Sequence, residues 1–299
     1  MYRLNDMDEE YEDDIIVDVE EGPSMQVRMA ELILDRIHNR DPDIGAVFTE
    51  ATGMPGSAKS SVNLSFAEDT CLNYPNEKVF WRSIYNSPLQ FLKLPRNKWH
   101  IMRQEESKVD FYDLNTGHKL DIGFTSFTDY EDLYEKAKPG KVNAVFFQQT
   151  GFWREFIHWQ LDGTGVDWTT NVLDDYGDLC PAFSRGEEWQ AVEDFAQTLK
   201  DVRKCRVNVH SNTQSVTDVY YKVRTKIIIS IYMFGAKASR KGRVSQRAID
   251  NLKLDSVRGN EAWIEYGGSI FGKTRFPKIY RPNPNYIWSA RRTGKYRTR

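Results

Sequence analysis

The sequence predicts an α/β fold: a mostly parallel central sheet sandwiched by helices, with an inserted β-hairpin and a C-terminal β-rich extension. Three observations carry that expectation. Short apolar runs alternate with amphipathic helical spacings from about residue 44 to 235. The stretch "TEATGMPGSAKSSVNLSF" (49–66) places a glycine-rich turn between a strand and a helix, and "NVLDDYGD" (171–178) closes a later apolar strand with two acids. Strands separated by helices need crossover connections, and crossovers make neighbouring strands parallel.

The 299 residues give room for one large α/β domain with decorations. Residues 1–23 read as a flexible arm, because 6–21 (DMDEEYEDDIIVDVEE) is strongly acidic. Residues 24–235 form the expected core, with an insertion at about 95–138, and 236–299 form the extension. That extension ends in a basic tail, SARRTGKYRTR from Ser289, with no carboxylate side chain. The bland reading of both ends is a solvated tail; the sharper one has the arm masking a cationic surface and the tail touching nucleic acid or a partner.

Along the core, "SMQVRMAELILDRIHNRDP" (24–42) has helical apolar spacing at Met29, Leu32, Ile33 and Ile37 and stops before Pro42. "IGAVFTEA" (44–51) reads as a buried strand, "AKSSVNLSFAED" as the helix leaving the glycine-rich turn, and "EKVFWRS" (77–83) as a second strand. Alternation over 98–125, with Asn115-Thr116-Gly117 as its turn, predicts the inserted hairpin. "KVNAVFFQ" (141–148) is the next strand, "GFWREFIHWQLD" a short helix, and 168–181 a strand ending in acids. Residues 185–205 give the clearest amphipathic helix, with Trp189, Val192, Phe195, Leu199 and Val202 at three- and four-residue steps. "CRVNVHSNTQ" (205–214), the short helix "VTDVYYKVRT" and the strand "KIIISIYMF" complete the core, and Gly-rich β segments follow.

Composition narrows the function classes. A net charge of −2 argues against a uniformly basic surface. Cys71, Cys180 and Cys205 have no close spacing, so neither a zinc pattern nor a disulfide framework is expected, and all three are expected reduced and buried. The longest apolar run, 226–235, falls short of the ~20 residues a membrane span needs. With no signal-like opening, the expectation is a soluble cytoplasmic protein without a membrane span.

The chemistry-bearing motif is Gly53-Met54-Pro55-Gly56-Ser57-Ala58-Lys59-Ser60-Ser61. Glycines let backbone N–H groups wrap round β- and γ-phosphates, the lysine reaches those phosphates, and the serine hydroxyl holds magnesium. Ala58 stands where the usual pattern has its last glycine, and its methyl group is free of cost only where φ is negative. Asp174 at the strand end suits a magnesium-holding acid, and Asp175 follows where a general base would sit. Acids after a strand serve equally as a helix N-cap. Asn212-Thr213-Gln214 would bring amides beside those acids if the two strands are neighbours, or would cap the next helix with Ser215 or Thr217.

The order of loop, long insertion, strand with paired acids, amphipathic helix, strand ending in Thr-Gln, helix and strand resembles the FtsK/HerA class of P-loop ATPases over roughly residues 44–235. The resemblance implies a RecA-like P-loop NTPase core, with ATP and Mg²⁺ as cofactors and hydrolysis that drives DNA movement by a ring of identical subunits. Duplex is the favoured track, and docking to a membrane or capsid complex is conceivable in that class. It also implies Gly53, Gly56, Lys59 and Ser60 on the phosphate loop, Asp174 on the metal, and Gln214 as γ-phosphate sensor. An arginine finger is expected at Arg224, with Arg240, Arg243 and Arg258 behind it. Two residues depart from the class: Ala58 is usually glycine and Asp175 usually glutamate. The alternatives are an AAA+-type ATPase, some of whose members carry Ala before the lysine, and a nucleotide-gated scaffold or secretion protein with little hydrolysis. The spacing of about 115 residues from Lys59 to Asp174 and the Gly-rich β tail weigh against the AAA+ type.

Overall fold

The computed structural model describes residues 35, 45–82, 88–89, 96–107, 109–113, 116–147, 149–162, 167–236, 261–266, 269–276 and 287–291. The acidic arm, all but Asp35 of the helix expected over 24–42, Arg240, Arg243, Arg258 and residues 292–299 lie outside the described residues.

The elements run β1 (Phe48–Thr52), α1 (Lys59–Asn73), β2 (Lys78–Arg82), β3 (Pro88–Leu89), β4 (Trp99–Gln104), β5 (Val109–Asp113), β6 (Lys119–Leu120) and β7 (Thr125–Phe127). They continue with α2 (Tyr130–Lys136), β8 (Val142–Phe146), α3 (Thr150–Leu161), β9 (Thr169–Leu173), α4 (Glu187–Thr198), β10 (Val207–Thr213), α5 (Tyr221–Arg224), β11 (Ile229–Met233), β12 (Glu261–Tyr266), β13 (Ser269–Arg275) and β14 (Ile287–Arg291).

Ten strands make the main sheet, in the order β13-β12-β11-β1-β10-β9-β2-β8-β4-β7. All pairings from β11 to β7 are parallel, and β12 and β13 extend that sheet antiparallel. This is a mostly parallel α/β sheet with an antiparallel C-terminal edge. Every residue of β1, β8, β9 and β10 is buried, as strands covered on both faces require. One face packs Phe48, Phe80, Val145 and Leu173 against Trp153 and Phe156 of α3 and Val192 and Phe195 of α4. The opposite face takes α1, through Leu64 and Ala67 on Val79, Ala144 and Val172, and through Val62 and Phe66 on Val47, Ala51 and Ile231. The helices therefore sandwich the sheet, and the C-terminal ends of β1, β10 and β9 open at one edge of it.

Four expectations are corrected in detail. The hairpin is confined to β5 and β6; β4, the first half of the alternating stretch, runs parallel to β8 in the main sheet. Its His100 is buried, with Nδ1 2.8 Å from Asn143 Oδ1 and Nε2 2.7 Å from Thr125 Oγ1, so both ring nitrogens are satisfied inside. Ser289–Arg291 belong to β14, which pairs antiparallel with β5 and β3, so the start of the basic tail is strand. Trp189 of the amphipathic helix is 43% exposed, while Val192, Phe195, Leu199 and Val202 are buried. Cys71 and Cys180 are buried and Cys205 is half-buried; all three are free thiols. Among the described residues, no helix is long and apolar enough to cross a membrane.

Candidate functional site: a phosphate loop facing paired acids

The loop from Gly53 to Ala58 leaves the end of β1 and opens α1. Gly53 is required by close approach: a Cβ there would stand 2.7 Å from Ser57 Oγ, 3.0 Å from Met233 Cβ and 3.0 Å from the Phe234 carbonyl oxygen. The loop is pinned to the end of β11, with Met54 N–H donating to Phe234 O at 3.0 Å. Gly56 has φ +83° and Ala58 φ +68°. The condition under which an alanine costs nothing is therefore not met, and Ala58 holds the left-handed backbone that a glycine would adopt freely. Backbone that alternates in hand turns successive N–H groups into one concavity, which suits an anion. Ala58 supplies no side-chain cap, and the first turn of α1 has no acidic residue to compete for its N–H groups.

Lys59 is buried and folds back over the loop, its Nζ donating to Gly53 O at 2.9 Å and Met54 O at 3.0 Å. Burial lowers its pKa, and the nearby carboxylates of Asp175 and Asp174 oppose that shift. Ser57 Oγ is buried and has no hydrogen-bond partner among the described residues. A buried hydroxyl without a partner, a cradle with no room for a side chain at Gly53, and a lysine facing two acids together fit a magnesium-bound nucleotide phosphate.

Across the loop, β9 delivers Asp174 and Asp175. Burial pushes Asp174 up to about 6, with the Asn212 amide opposing it, Asp175 raising it, and Ser60 and Asn63 lowering it. Asn212 Nδ2 donates to Asp174 Oδ1, while Asn212 Oδ1 accepts the Asp175 N–H at 2.9 Å. One side chain of β10 thus holds both acids, because β10 and β9 are parallel neighbours with Ser211 opposite Leu173. Asp175 is exposed and has φ +47°. Burial of its carboxylate raises its pKa, Lys59 and Arg82 lower it, and Asp178 raises it.

No protein-family model matches the sequence, and neither does any curated protein sequence. Solved structures do match. The genome packaging NTPase B204 from Sulfolobus turreted icosahedral virus 2, in complex with ATP-gammaS, aligns with 10% identity and a TM-score of 0.50, covering 80% of this chain and all of that one. The same protein in complex with AMPPCP aligns with 12% identity and a TM-score of 0.50 over 81% of this chain and all of that one. The fold is that of a P-loop NTPase.

In this NTPase fold the sequence-selected residues divide into two groups. Gly53 to Ser61, Lys59, Ser60, Asp174 and Asp175 converge at the C-terminal ends of β1 and β9, on either side of β10. Gln214 lies just past β10 and is exposed, and the amide that meets the acids is Asn212. Arg224, at the end of α5, faces Glu50 and Tyr176 of its own chain; burial lowers its pKa and those two groups oppose the shift.

Four further residues stand near the acids, of which Tyr176, Arg82 and Asp178 were not singled out by sequence reasoning. Tyr176 is fully buried and donates its hydroxyl to Glu50 Oε1 at 2.8 Å. Glu50 is itself buried, three residues before Gly53, and burial pushes it up to about 7 against the Tyr176 hydrogen bond and the Arg224 charge. Arg82 ends β2 beside Leu173 of β9 and binds Asp178 through both terminal nitrogens. The signal that marks Glu50 in the sequence is a charged residue inside a short buried strand.

Proposed function

We propose that the chain is a Mg²⁺-dependent ATP hydrolase that moves DNA as a homo-oligomeric ring. The observation that carries the reading is the convergence of the 53–61 loop, Lys59 and Ser60 with Asp174 and Asp175 at the ends of β1 and β9, with Asn212 of β10 between them. Loop N–H groups and Lys59 hold the phosphates, and Ser60 and Asp174 hold the metal. When bound, Mg²⁺ neutralises phosphate charge during transfer to water. Asp175 accepts the proton of the attacking water, with its backbone fixed by Asn212. Its side chain is one methylene shorter than glutamate, so hydrolysis is slower than in enzymes that carry glutamate there.

Gln214 is assigned to sensing the γ-phosphate and Arg224 to the neighbouring subunit's nucleotide, a role that requires it to leave Glu50. The B204 structures, described as those of a genome packaging NTPase with ATP analogues, support the reading by fold. Antiparallel strands β12 and β13 follow the core where an AAA+-type ATPase would place a helical lid, which favours the packaging type. Duplex DNA is the preferred substrate of movement, with the basic tail from Arg291 to Arg299 as a phosphate contact.

The deciding experiment is ATP turnover with and without duplex DNA, run beside a sizing column with and without ATP. DNA-stimulated turnover and an ATP-dependent shift to a large species are expected. Binding of ATP without turnover, in either condition, would replace the motor with a nucleotide-gated scaffold.

A further inference from the structure

Glu50 has no packing reason to be where it is. It lies mid-strand in β1, 2% exposed, among Phe48, Ala51 and the other buried residues of the central strand. A carboxyl in that position is costly unless its oxygens are satisfied, and an apolar residue of similar size would stabilise the sheet more. Its Oε1 accepts from Tyr176, whose ring is also pinned edge-on to Phe48, with centroids 6.1 Å apart and planes at 79°. Tyr176 is the residue directly after Asp175.

Asp175 needs that anchor. An aspartate at φ +47° sits in the left-handed region, which is costly for a residue with a Cβ, and it stays there only if its surroundings hold it. Among the described residues, the contacts that hold the segment include Asn212 from β10 on the Asp175 N–H, Ser211 from β10 on the Tyr176 hydroxyl, Arg82 from β2 on Asp178, and Glu50 and Phe48 from β1 on Tyr176. The Glu50 hydrogen bond, with the Phe48 ring contact beside it, ties the acid segment to the strand that carries the phosphate loop.

We propose that Glu50 and Tyr176 are positioning residues for hydrolysis, their hydrogen bond fixing Asp175 relative to the phosphate loop. The proposal rests on the ATPase reading above. It assigns neither residue a contact with the nucleotide, so binding and turnover separate when the link is cut.

The test compares Tyr176→Phe, which keeps the ring on Phe48 and removes the hydroxyl with its contacts to Glu50 and Ser211, with Glu50→Gln, whose amide oxygen still accepts from Tyr176. For each, affinity for a fluorescent ATP analogue, kcat and hydrogen exchange of the 174–178 amides in the nucleotide-free protein are measured. Tyr176→Phe is expected to lose at least about tenfold in kcat, since small misplacements of a reacting group carry losses of that order, with affinity held within about twofold. Its 174–178 amides exchange faster. Glu50→Gln keeps most of the turnover and the slow exchange. Wild-type turnover in Tyr176→Phe, equal loss of affinity and kcat, or a Glu50→Gln as slow as Tyr176→Phe would each overturn the proposal. A wild-type protein that binds the analogue and never turns it over would overturn the ATPase reading, and this one with it; the other three outcomes overturn this one alone.

Discussion

Arg82 Nη1 and Nη2 donate to Asp178 Oδ1 and Oδ2 at 2.8 and 2.7 Å, a two-pronged pair whose arginine side chain is 1% exposed and whose aspartate is 55% exposed. The fork joins the end of β2 to the turn that follows the paired acids. Removing Asp178's charge leaves a buried guanidinium with a weaker partner. The loss at a fully buried pair is about 3–5 kcal/mol, and half-exposure of the aspartate brings the expectation for Asp178→Asn to about 1–2 kcal/mol. Arg82→Lys keeps the charge and loses the fork, so it falls short of wild type as well. Urea denaturation of the two variants checks both.

Ala58→Gly is expected to stabilise the protein. The alanine methyl group is held at φ +68°, which costs about 1–2 kcal/mol, and glycine removes that cost while adding chain entropy to the unfolded state. The net gain is roughly 0.5–1 kcal/mol, read as a higher urea midpoint at unchanged slope. Nucleotide affinity does not fall, because the loop keeps its shape.

Lys59→Ala removes the ammonium that caps the Gly53 and Met54 carbonyls and faces both acids. Charge-assisted contacts of this kind carry about 1.5–3 kcal/mol each, so ATP affinity is expected to drop by about 100-fold with the fold intact. Isothermal titration beside a thermal melt measures both; unchanged affinity would refute the phosphate-loop assignment.

The order of elements from β1 to β11 is legible because each buried strand is a short apolar run and each crossover helix has its own spacing. Tertiary pairing is less so. The apolar pattern of "KWHIMRQ" says strand, yet nothing in it says that the strand lies beside β8, because His100 is satisfied by Asn143, 43 positions away. Arg82 and Asp178 are separated by 96 positions, and only the insertion of β2 between β9 and β8 brings them together. Gln214 stands out in the sequence as the terminal amide of a strand, but β10 ends at Thr213, one residue before it, and it is Asn212, still inside the strand, that meets the acids. The phosphate loop itself is local, which is why it could be read directly.

Asp174→Asn and Asp175→Asn are expected to differ. Asp174 is the carboxylate grouped with Ser60, Asn63 and Asn212, whereas Asp175 is exposed and faces Lys59. Asp175→Asn retains Mg·ATP affinity and stalls turnover. Asp174→Asn weakens the magnesium dependence of binding. A magnesium titration monitored by a fluorescent analogue separates them, and normal turnover by Asp175→Asn would move the base elsewhere.

Glu50 makes stability fall as pH rises toward neutrality, against His100, whose buried ring has a lowered pKa and acts with the opposite sign. The folded pKa of Glu50 is pushed up to about 7 by burial, against 4.5 for an ordinary glutamate, so between those values the native state holds a proton that the unfolded state has released. The contribution is fully present below about 4.5 and is lost as pH rises through about 7; a shift of about 2.5 corresponds to at most about 3 kcal/mol. Asp174, at about 6, acts with the same sign at lower pH. In nucleotide-free protein with chelator present, Glu50→Gln is therefore expected to flatten the dependence of Tm on pH between about 6 and 7 and to reduce it between about 4.5 and 6, where the share set by Asp174 persists. An unchanged slope between pH 6 and 7 in Glu50→Gln would mean that Glu50 is ionised in the folded protein throughout, with the Tyr176 hydroxyl and the Arg224 charge outweighing its burial.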